Sequence, residues 1–268
     1  MLVKSGCKIN IGLWITRKRS DGYHDIESLF VPVPFFDTIE IVEAKEADLI
    51  TYNADFDIPK EKNLVWKCFL LMQERYAVPN IEIHLVKRIP SGGGIGGGSG
   101  NVGAFINAVD DLFCLELSVS EREQLAMEIG SDCGFFIENN PALVLGRGEA
   151  MIPYHGGHSF YAYLLYSDIQ IGTAQAYTGM IPNARGESYL EILKTPEQWQ
   201  EKLTNDFESV VYGVYPELAE NKKALINSGA VYAGLSGTGG CQIGLFENRI
   251  ELPQALQEKV LWEGELCF

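Results

Sequence analysis

The residues most suggestive of chemistry lie between Pro90 and Asn101, in the run Pro90-Ser91-Gly92-Gly93-Gly94-Ile95-Gly96-Gly97-Gly98-Ser99-Gly100-Asn101. Six glycines in the seven positions from 92 to 98 carry a conformational-entropy cost on folding. Such a cost is borne where backbone must come close to a ligand or take up positive φ. An apolar strand pattern precedes the run and an apolar helical pattern follows it. A helix start offers N–H groups without intrahelical partners and the positive end of the helix dipole. Together they make an anion site, most naturally for phosphate. Ser99, at the helix entrance, either caps the helix or holds a phosphate or a metal ion. A plain linker is the competing reading, but linkers are seldom flanked so closely by a strand and an apolar helix. No GxxxxGK[ST] occurs, which excludes a P-loop. Gly92, Gly94 and Gly97 satisfy GxGxxG, as a glycine run readily does. A dinucleotide fold also needs a second strand ending in an acid after the helix, and here another helix, from Ser118, follows.

Two further residues suit proton and charge chemistry. Asp132 follows a helix stop at Gly130. A carboxylate there takes the proton of an attacking hydroxyl, or simply forms a turn. Lys8 interrupts an apolar strand, where a cation is costly unless paired; a lysine on an exposed strand face is the alternative.

The elements that position these groups can be read from periodicity. CKINIGLWI and DTIEIVEA (from Asp37) alternate as strands, as does IEIHLV from Ile81 to Val86. NLVWKCFLLMQERY places Leu64, Val65, Cys68, Leu71 and Met72 at helical spacing. NVGAFINAVDDLF places Val102, Phe105, Ile106 and Val109 on one helical face. A further helix opens at Ser118 with Glu121 three residues on, a capping-box pattern, and Gly130 suits its end. ALVLGRGE is a strand with a turn, FYAYLLY (Phe160 to Tyr166) a strand, and AVYAGLSGTGGCQIGLF a strand, a glycine loop and a strand. The pattern restarts near residue 150, where a domain boundary is expected. Strands and helices mix without regular βαβ alternation, which predicts an α+β protein.

Composition bounds the function. The chain has 268 residues, enough for one large domain or two modest ones at roughly 100–200 residues each. Its net charge of −15 repels nucleic acid and anionic membrane, so neither is expected as a partner. A polyphosphate ligand then needs local devices: backbone N–H groups, placed lysines and a metal ion. No secretory h-region and no run of 18 apolar residues is present, and a cytoplasmic protein is expected. The six cysteines are scattered, without a CxxC pair. They read as buried free thiols rather than a zinc site or disulfide framework.

Several of these segments resemble a known family. Lys87 through Asn101 is similar to the second motif of the GHMP kinases, whose usual form is Pro-x-Gly/Ala-x-Gly-Leu-Gly-Gly/Ser-Ser-Ser. Leu235-Ser236-Gly237-Thr238-Gly239-Gly240-Cys241 resembles their third motif, and Cys7-Lys8-Ile9-Asn10-Ile11 their first, Ala-Lys-Ile-Asn-Leu. The order is right and the three span nearly the whole chain. Arg19-Ser20-Asp21-Gly22-Tyr23-His24 resembles the Arg-x-Asp-Gly-Tyr-His segment of the branch whose acceptor is a cytidine diphosphate-linked polyol. Gly130-Ser131-Asp132-Cys133-Gly134-Phe135-Phe136 resembles the Gly-Ala-Asp-Val-Pro-Phe-Phe of that branch. Homoserine, galactose and mevalonate kinases lack the Tyr-His segment. The chain departs from the pattern at Gly100, where a second serine is usual, and at Gly134, where proline is usual. The first departure removes a hydroxyl, and the second is expected to loosen the loop after Asp132.

The resemblance implies a two-lobed α+β fold. A ribosomal-protein-S5-like, ATP-binding N-terminal domain (1–150) would be followed by a ferredoxin-like C-terminal domain (151–268). It implies an ATP-dependent kinase using Mg²⁺, with a small-molecule acceptor, the diphosphocytidyl methylerythritol of non-mevalonate isoprenoid synthesis. Another GHMP kinase of homoserine or mevalonate type, or a catalytically dead relative, is the alternative. It places Asp132 as catalytic base and Lys8 beside it. Asn10 falls near the acceptor, with Tyr23 and His24 at the cytosine and Tyr177 a candidate for the opposite stacking face; a core or surface tyrosine is the rival reading of Tyr177. Asn63, Lys87 and Pro90 lie near the nucleotide, as do Gly92, Gly93, Gly94, Ile95, Gly96, Gly97, Gly98, Ser99 and Gly100. Gly237, Thr238 and Gly239 complete that set. Lys87 reads equally as a solvated strand end. No dense carboxylate cluster marks a protein metal cage, so the ion would sit mainly on phosphates and water. A monomer and a homodimer both remain open.

Overall fold

A computed structural model describes residues 1–54, 58–172, 176–177 and 180–268. The chain folds as two compact units that are not contiguous in sequence: Met1–Lys8, Pro32–Ser91 and Gly96–Asn140 form the first, and Ile9–Val31, Gly92–Ile95 and Pro141–Phe268 the second. Two long strands, β1 (Leu2–Lys18) and β2 (His24–Glu43), contribute residues to both.

In the first unit, the end of β2 pairs antiparallel with β4 (Ile81–Val86), Ile41 facing Ile83. β4 lies parallel to β3 (Asp48–Tyr52), with Ile50 opposite His84. A parallel pair needs a crossover, which α1 (Leu64–Tyr76) supplies, so one βαβ connection sits within the α+β fold. The buried stripe of α1 is Val65, Trp66, Cys68, Phe69 and Met72. α2 (Gly97–Phe113) buries Val102, Phe105, Ile106 and Val109, the face its periodicity predicts. Each such apolar side chain contributes roughly 1.5–3 kcal/mol on burial. These helices share one core with Ile39, Ile41, Ile83 and Leu85 of the strands.

The capping box of α3 (Val119–Ile129) forms as expected: the Ser118 hydroxyl accepts from the Glu121 N–H, and the Glu121 carboxylate accepts from the Ser118 N–H. Gly130 ends this helix in extended backbone, φ −173°, so its use there is small size rather than a left-handed turn. A Cβ at 130 would lie 3.1 Å from the Cys133 sulfur. The short α4 (Phe135–Glu138) follows.

In the second unit, β2 residues 26–30 pair antiparallel with β5 (Ala142–Gly146), which pairs with β6 (Ala150–Pro153). A four-stranded antiparallel sheet has the order β10-β7-β9-β8, from β7 (Ser159–Tyr166), β8 (Tyr232–Leu235), β9 (Cys241–Phe246) and β10 (Val260–Cys267). Helix Pro216–Asn227 packs on β8 and β9. All six cysteines are free thiols; Cys7, Cys68, Cys133 and Cys241 are buried as expected, whereas Cys114 and Cys267 are exposed.

Candidate active site

Lys8 and Asp132 meet within the first unit. Lys8, on β1, is 3 % exposed, and its Nζ lies 3.6 Å from Asp132 Oδ2, whose side chain is 38 % exposed. Burial pushes the ammonium of Lys8 below its ordinary pKa, and the neighbouring Asp132 pulls it part of the way back. The buried cation lies within ion-pair distance of a half-exposed carboxylate and so orients it. Asp132 is presented by the tight turn between α3 and α4, closed by the Cys133 N–H donating to the Gly130 carbonyl at 3.0 Å.

The same unit holds the start of α2. Its N-cap, Gly96, has φ 71° and supplies no side-chain cap. A Cβ at 96 would sit 2.9 Å from the Phe136 ring and 3.3 Å from Cγ of Lys8, so glycine lets the helix open against the lysine stem in a left-handed turn. The hydroxyl of Ser99 hydrogen-bonds the thiol of Cys133, the residue after Asp132, tying the first turn of α2 to the carboxylate turn. Burial pushes that thiol up to about 12, so it stays protonated. Gly100 abuts β1: a Cβ there would lie 2.1 Å from the Gly6 carbonyl oxygen.

Lys87 is not a solvated strand end. Its ammonium pairs with Asp37, which is fully buried and also accepts from the Arg88 and Ile89 N–H groups at 2.7 and 2.8 Å. Asp37 thereby pins the entry to the glycine segment next to buried Pro90. A Cβ on Gly97 would lie 3.6 Å from Nζ of Lys87, which places this cation beside the α2 start. Asn63 caps α1, accepting from the Val65 N–H at 2.9 Å. Its neighbour Leu64 approaches Gly98, 3.7 Å from a Cβ built there.

In the second unit, Gly92, Gly93, Gly94 and buried Ile95 are interleaved with the loop carrying Gly237, Thr238 and Gly239. The Cys241 N–H donates to the Gly93 carbonyl at 3.0 Å. A Cβ on Gly94 would lie 2.1 Å from the Ser236 carbonyl oxygen, and one on Gly239 2.1 Å from the Gly93 carbonyl carbon. The second glycine loop thus meets the first backbone to backbone, which only glycines permit. Asn10 is fully buried here, with its amide nitrogen donating to Ser28 at 2.8 Å.

The aromatic residues also gather in the second unit. His24 and Tyr177 stack with centroids 5.0 Å apart and planes at 19°. Tyr177 meets Phe207 edge-on at 4.8 Å. Tyr23 is 52 % exposed, with the Arg147 guanidinium 4.6 Å from its ring centre. The turn carrying Tyr23 is held by Arg19, which pairs with Asp21, Asp25 and Glu149. Partial burial, and then Lys18, lower the His24 pKa, which favours its neutral ring.

Sequence reasoning missed Asp37, Ser28 and Ser236. An acid opening the strand DTIEIVEA reads as a solvated end, and neither Ser28 within β2 nor Ser236 at the mouth of the second glycine loop carries a periodic signal. Only the cost of burying a polar group marks them, and burial is not visible before folding.

Comparison with known proteins places this geometry. Residues 63–147 match the family model of the GHMP kinases N terminal domain, and residues 189–259 that of the GHMP kinases C terminal domain. The 4-diphosphocytidyl-2-C-methyl-D-erythritol kinase of Parabacteroides distasonis is 37 % identical, covering 99 % of this chain and 100 % of its own. The enzyme of the same name from Bacteroides fragilis is 35 % identical over 100 % of this chain and 98 % of its own. A crystal structure of 4-(cytidine 5'-diphospho)-2C-methyl-D-erythritol kinase superposes with a TM-score of 0.80 at 26 % identity, covering all of both chains. The Streptococcus pneumoniae phosphomevalonate kinase, solved with phosphomevalonate and AMPPNP, has a TM-score of 0.71 at 13 % identity over 99 % and 100 % of the two chains, and so shares the fold. This chain belongs to the 4-diphosphocytidyl-2-C-methyl-D-erythritol kinase family of the GHMP kinases.

Proposed function

We infer that the chain transfers the γ-phosphoryl group of ATP to the 2-hydroxyl of 4-diphosphocytidyl-2-C-methyl-D-erythritol, a step of non-mevalonate isoprenoid precursor synthesis. The observation that carries this reading is the Lys8–Asp132 pair, 3.6 Å apart, in the same unit as the uncapped start of α2. Asp132 receives the proton of the acceptor hydroxyl as its oxygen bonds to the γ-phosphorus and the bridging oxygen leaves with ADP. Lys8 orients Asp132 through their ion pair. Backbone N–H groups at the start of α2 receive phosphate oxygens, and Ser99 holds that turn against the Asp132 turn. Tyr23, His24 and Tyr177 take the cytosine. The ATP-binding N-terminal domain ends near residue 150, and Gly237, Thr238 and Gly239 of the C-terminal domain complete the nucleotide set.

Among the described residues no group of three His, Cys, Asp or Glu side chains could hold a metal ion. Mg²⁺ would sit mainly on the phosphates and water, with the Ser99 hydroxyl as a hard oxygen donor beside them. When bound, Mg²⁺ supplies charge neutralisation on the β- and γ-phosphates.

A coupled ADP-release assay over a small acceptor panel tests the reading. Turnover is expected with the diphosphocytidyl alcohol and not with homoserine or mevalonate. Asp132→Asn is expected to fold normally and to lose activity by about 10²–10⁴-fold. Near-normal turnover in a folded Asp132→Asn protein would discard the mechanism.

A further inference from the structure

The turn that carries Asp132 runs from the end of α3 to the start of α4, and it holds glycine at 134, which leaves φ unrestrained where a proline would fix it. Its shape therefore depends on what the two flanking helices rest on, and both reach the same side chain of α2. Ile137 lies at the end of α4, where a helix leaves its carbonyls without intrahelical partners. The Asn107 amide nitrogen donates to the Ile137 carbonyl at 2.9 Å. The Asn107 amide oxygen accepts from Nη1 of Arg122, near the start of α3, also at 2.9 Å. A carbonyl only accepts and a guanidinium only donates, so the two partners together fix the orientation of the amide. One turn further along α2, Asp110 is 7 % exposed. Its Oδ2 lies 3.7 Å from Arg122 Nε, and its Oδ1 accepts from the Leu117 N–H at 3.1 Å. Asp110 thereby holds Arg122 to α2 and closes the α2–α3 connection. The far ends of α3 and α4 are tied to α2 through residues 107 and 110, and the Asp132 turn is the apex between them. All of these groups belong to the first unit.

We propose that Asn107 and Arg122 are positioning residues that set the Asp132 carboxylate through the far ends of α3 and α4. The proposal rests on the reading of Asp132 as the group that receives the acceptor's proton. A carboxylate shifted by a fraction of an ångström still pairs with Lys8 but meets the hydroxyl off line, so the loss falls on turnover rather than on binding. The start of α2, at Gly97, lies about 15 Å before Asn107 at the helical rise, out of direct reach of a change at 107.

The test combines steady-state kinetics with calorimetric AMPPNP binding. Asn107→Leu keeps the branched shape and removes both hydrogen bonds. It is expected to lower kcat by about 10- to 30-fold, with KM for ATP, KM for the acceptor alcohol and AMPPNP affinity each within about twofold of the parent. Arg122→Met, which removes only the α3 arm, should lower kcat by about 3- to 10-fold. Two readouts separate positioning from lost packing. In the Asp132→Asn protein, Asn107→Leu should change the residual rate by less than about twofold, because the carboxylate it positions is gone. Gly134→Pro, which imposes φ at the apex, should bring kcat of Asn107→Leu back to within about threefold of the parent. If Asn107→Leu does not fold, Arg122→Met carries the same readouts. Parental kcat in the folded variants would overturn the proposal. So would an undiminished further loss in the Asp132→Asn background, AMPPNP affinity falling in step with kcat, or no recovery with Gly134→Pro. Normal turnover by Asp132→Asn itself would discard the reading of Asp132 and the positioning with it, whereas a slow Asp132→Asn beside a fully active Asn107→Leu discards the positioning alone.

Discussion

Lys8 is a cation held where water barely reaches, and its pairing with Asp132 offsets part of the burial cost. Replacing a buried ion-pair partner by an apolar group of similar length is often neutral for stability, so function and folding separate at this position. Lys8→Met is expected to lower kcat by about 10²–10³-fold while Tm stays within about 4 °C of the parent, as thermal unfolding alongside the ADP-release assay would show. The lowered proton affinity of Lys8 also fixes the sign of its pH dependence. Burial disfavours the charged form, so the folded pKa lies below the ordinary 10.5. In the proposed mechanism the charged form supports catalysis, so kcat should fall as pH rises, with the alkaline limb centred below 10.5. Stability runs the opposite way: between the folded and unfolded pKa values the unfolded chain binds more protons, so this residue's contribution to stability increases with pH. Lys8→Arg should remove that limb from whatever activity remains, since guanidinium does not titrate there. A limb that persists in Lys8→Arg assigns it to another group.

At the scale of elements, the two departures from the family pattern turn into packing statements. Any Cβ at Gly100 would come within 2.1 Å of the Gly6 carbonyl oxygen, so α2 and β1 are in closest approach there. Gly100→Ser therefore does not simply return a missing hydroxyl. It should cost about 1–3 kcal/mol through overpacking, read as a drop in Tm without a gain in ATP affinity. Gly134 sits at φ −58°, inside the range of proline. The glycine leaves the backbone in the shape a proline would impose, contrary to the expected loosening of the Asp132 turn. Gly134→Pro should keep activity and hold or raise Tm, because it restricts the unfolded chain; loss of activity would show that the turn must flex. Helical spacing and the Ser118–Glu121 box made α1, α2 and α3 legible, because those signals are local. β2 was legible only at its end: Pro32 and Pro34 punctuate the pattern midway, yet they fall between the residues that pair with β5 and those that pair with β4, and interrupt neither pairing. The boundary expected near residue 150 rested on a restart of pattern along the chain. Each compact unit contains parts of both β1 and β2, a long-range outcome that no local window registers.

For the whole molecule, the site had to be built against the protein's own field. A net charge of −15 opposes the approach of ATP and of a diphosphate-bearing alcohol, and the cations at the site do not offset it at long range. Lys8 is paired with Asp132, and Lys87 with buried Asp37. On the proposed reading, attraction is left to backbone N–H groups and to the ion that ATP would bring, both of which act over a few ångströms. The glycine segment was legible in the sequence because that solution needs bare backbone; the ion pairs behind it were not, because each joins residues far apart in the chain. The balance between long-range repulsion and short-range attraction has a measurable sign. Raising monovalent salt from about 20 to about 150 mM shortens the screening length to about 8 Å, which removes the repulsion and leaves the short contacts nearly intact. KM for ATP and for the acceptor should each fall by about two- to threefold, with kcat steady, when initial rates are measured at fixed free Mg²⁺. A site dominated by exposed cations would show the reverse, KM rising with salt. That result would mean Lys87 leaves Asp37 when nucleotide arrives, and Asp37→Asn should then tighten ATP binding instead of weakening it.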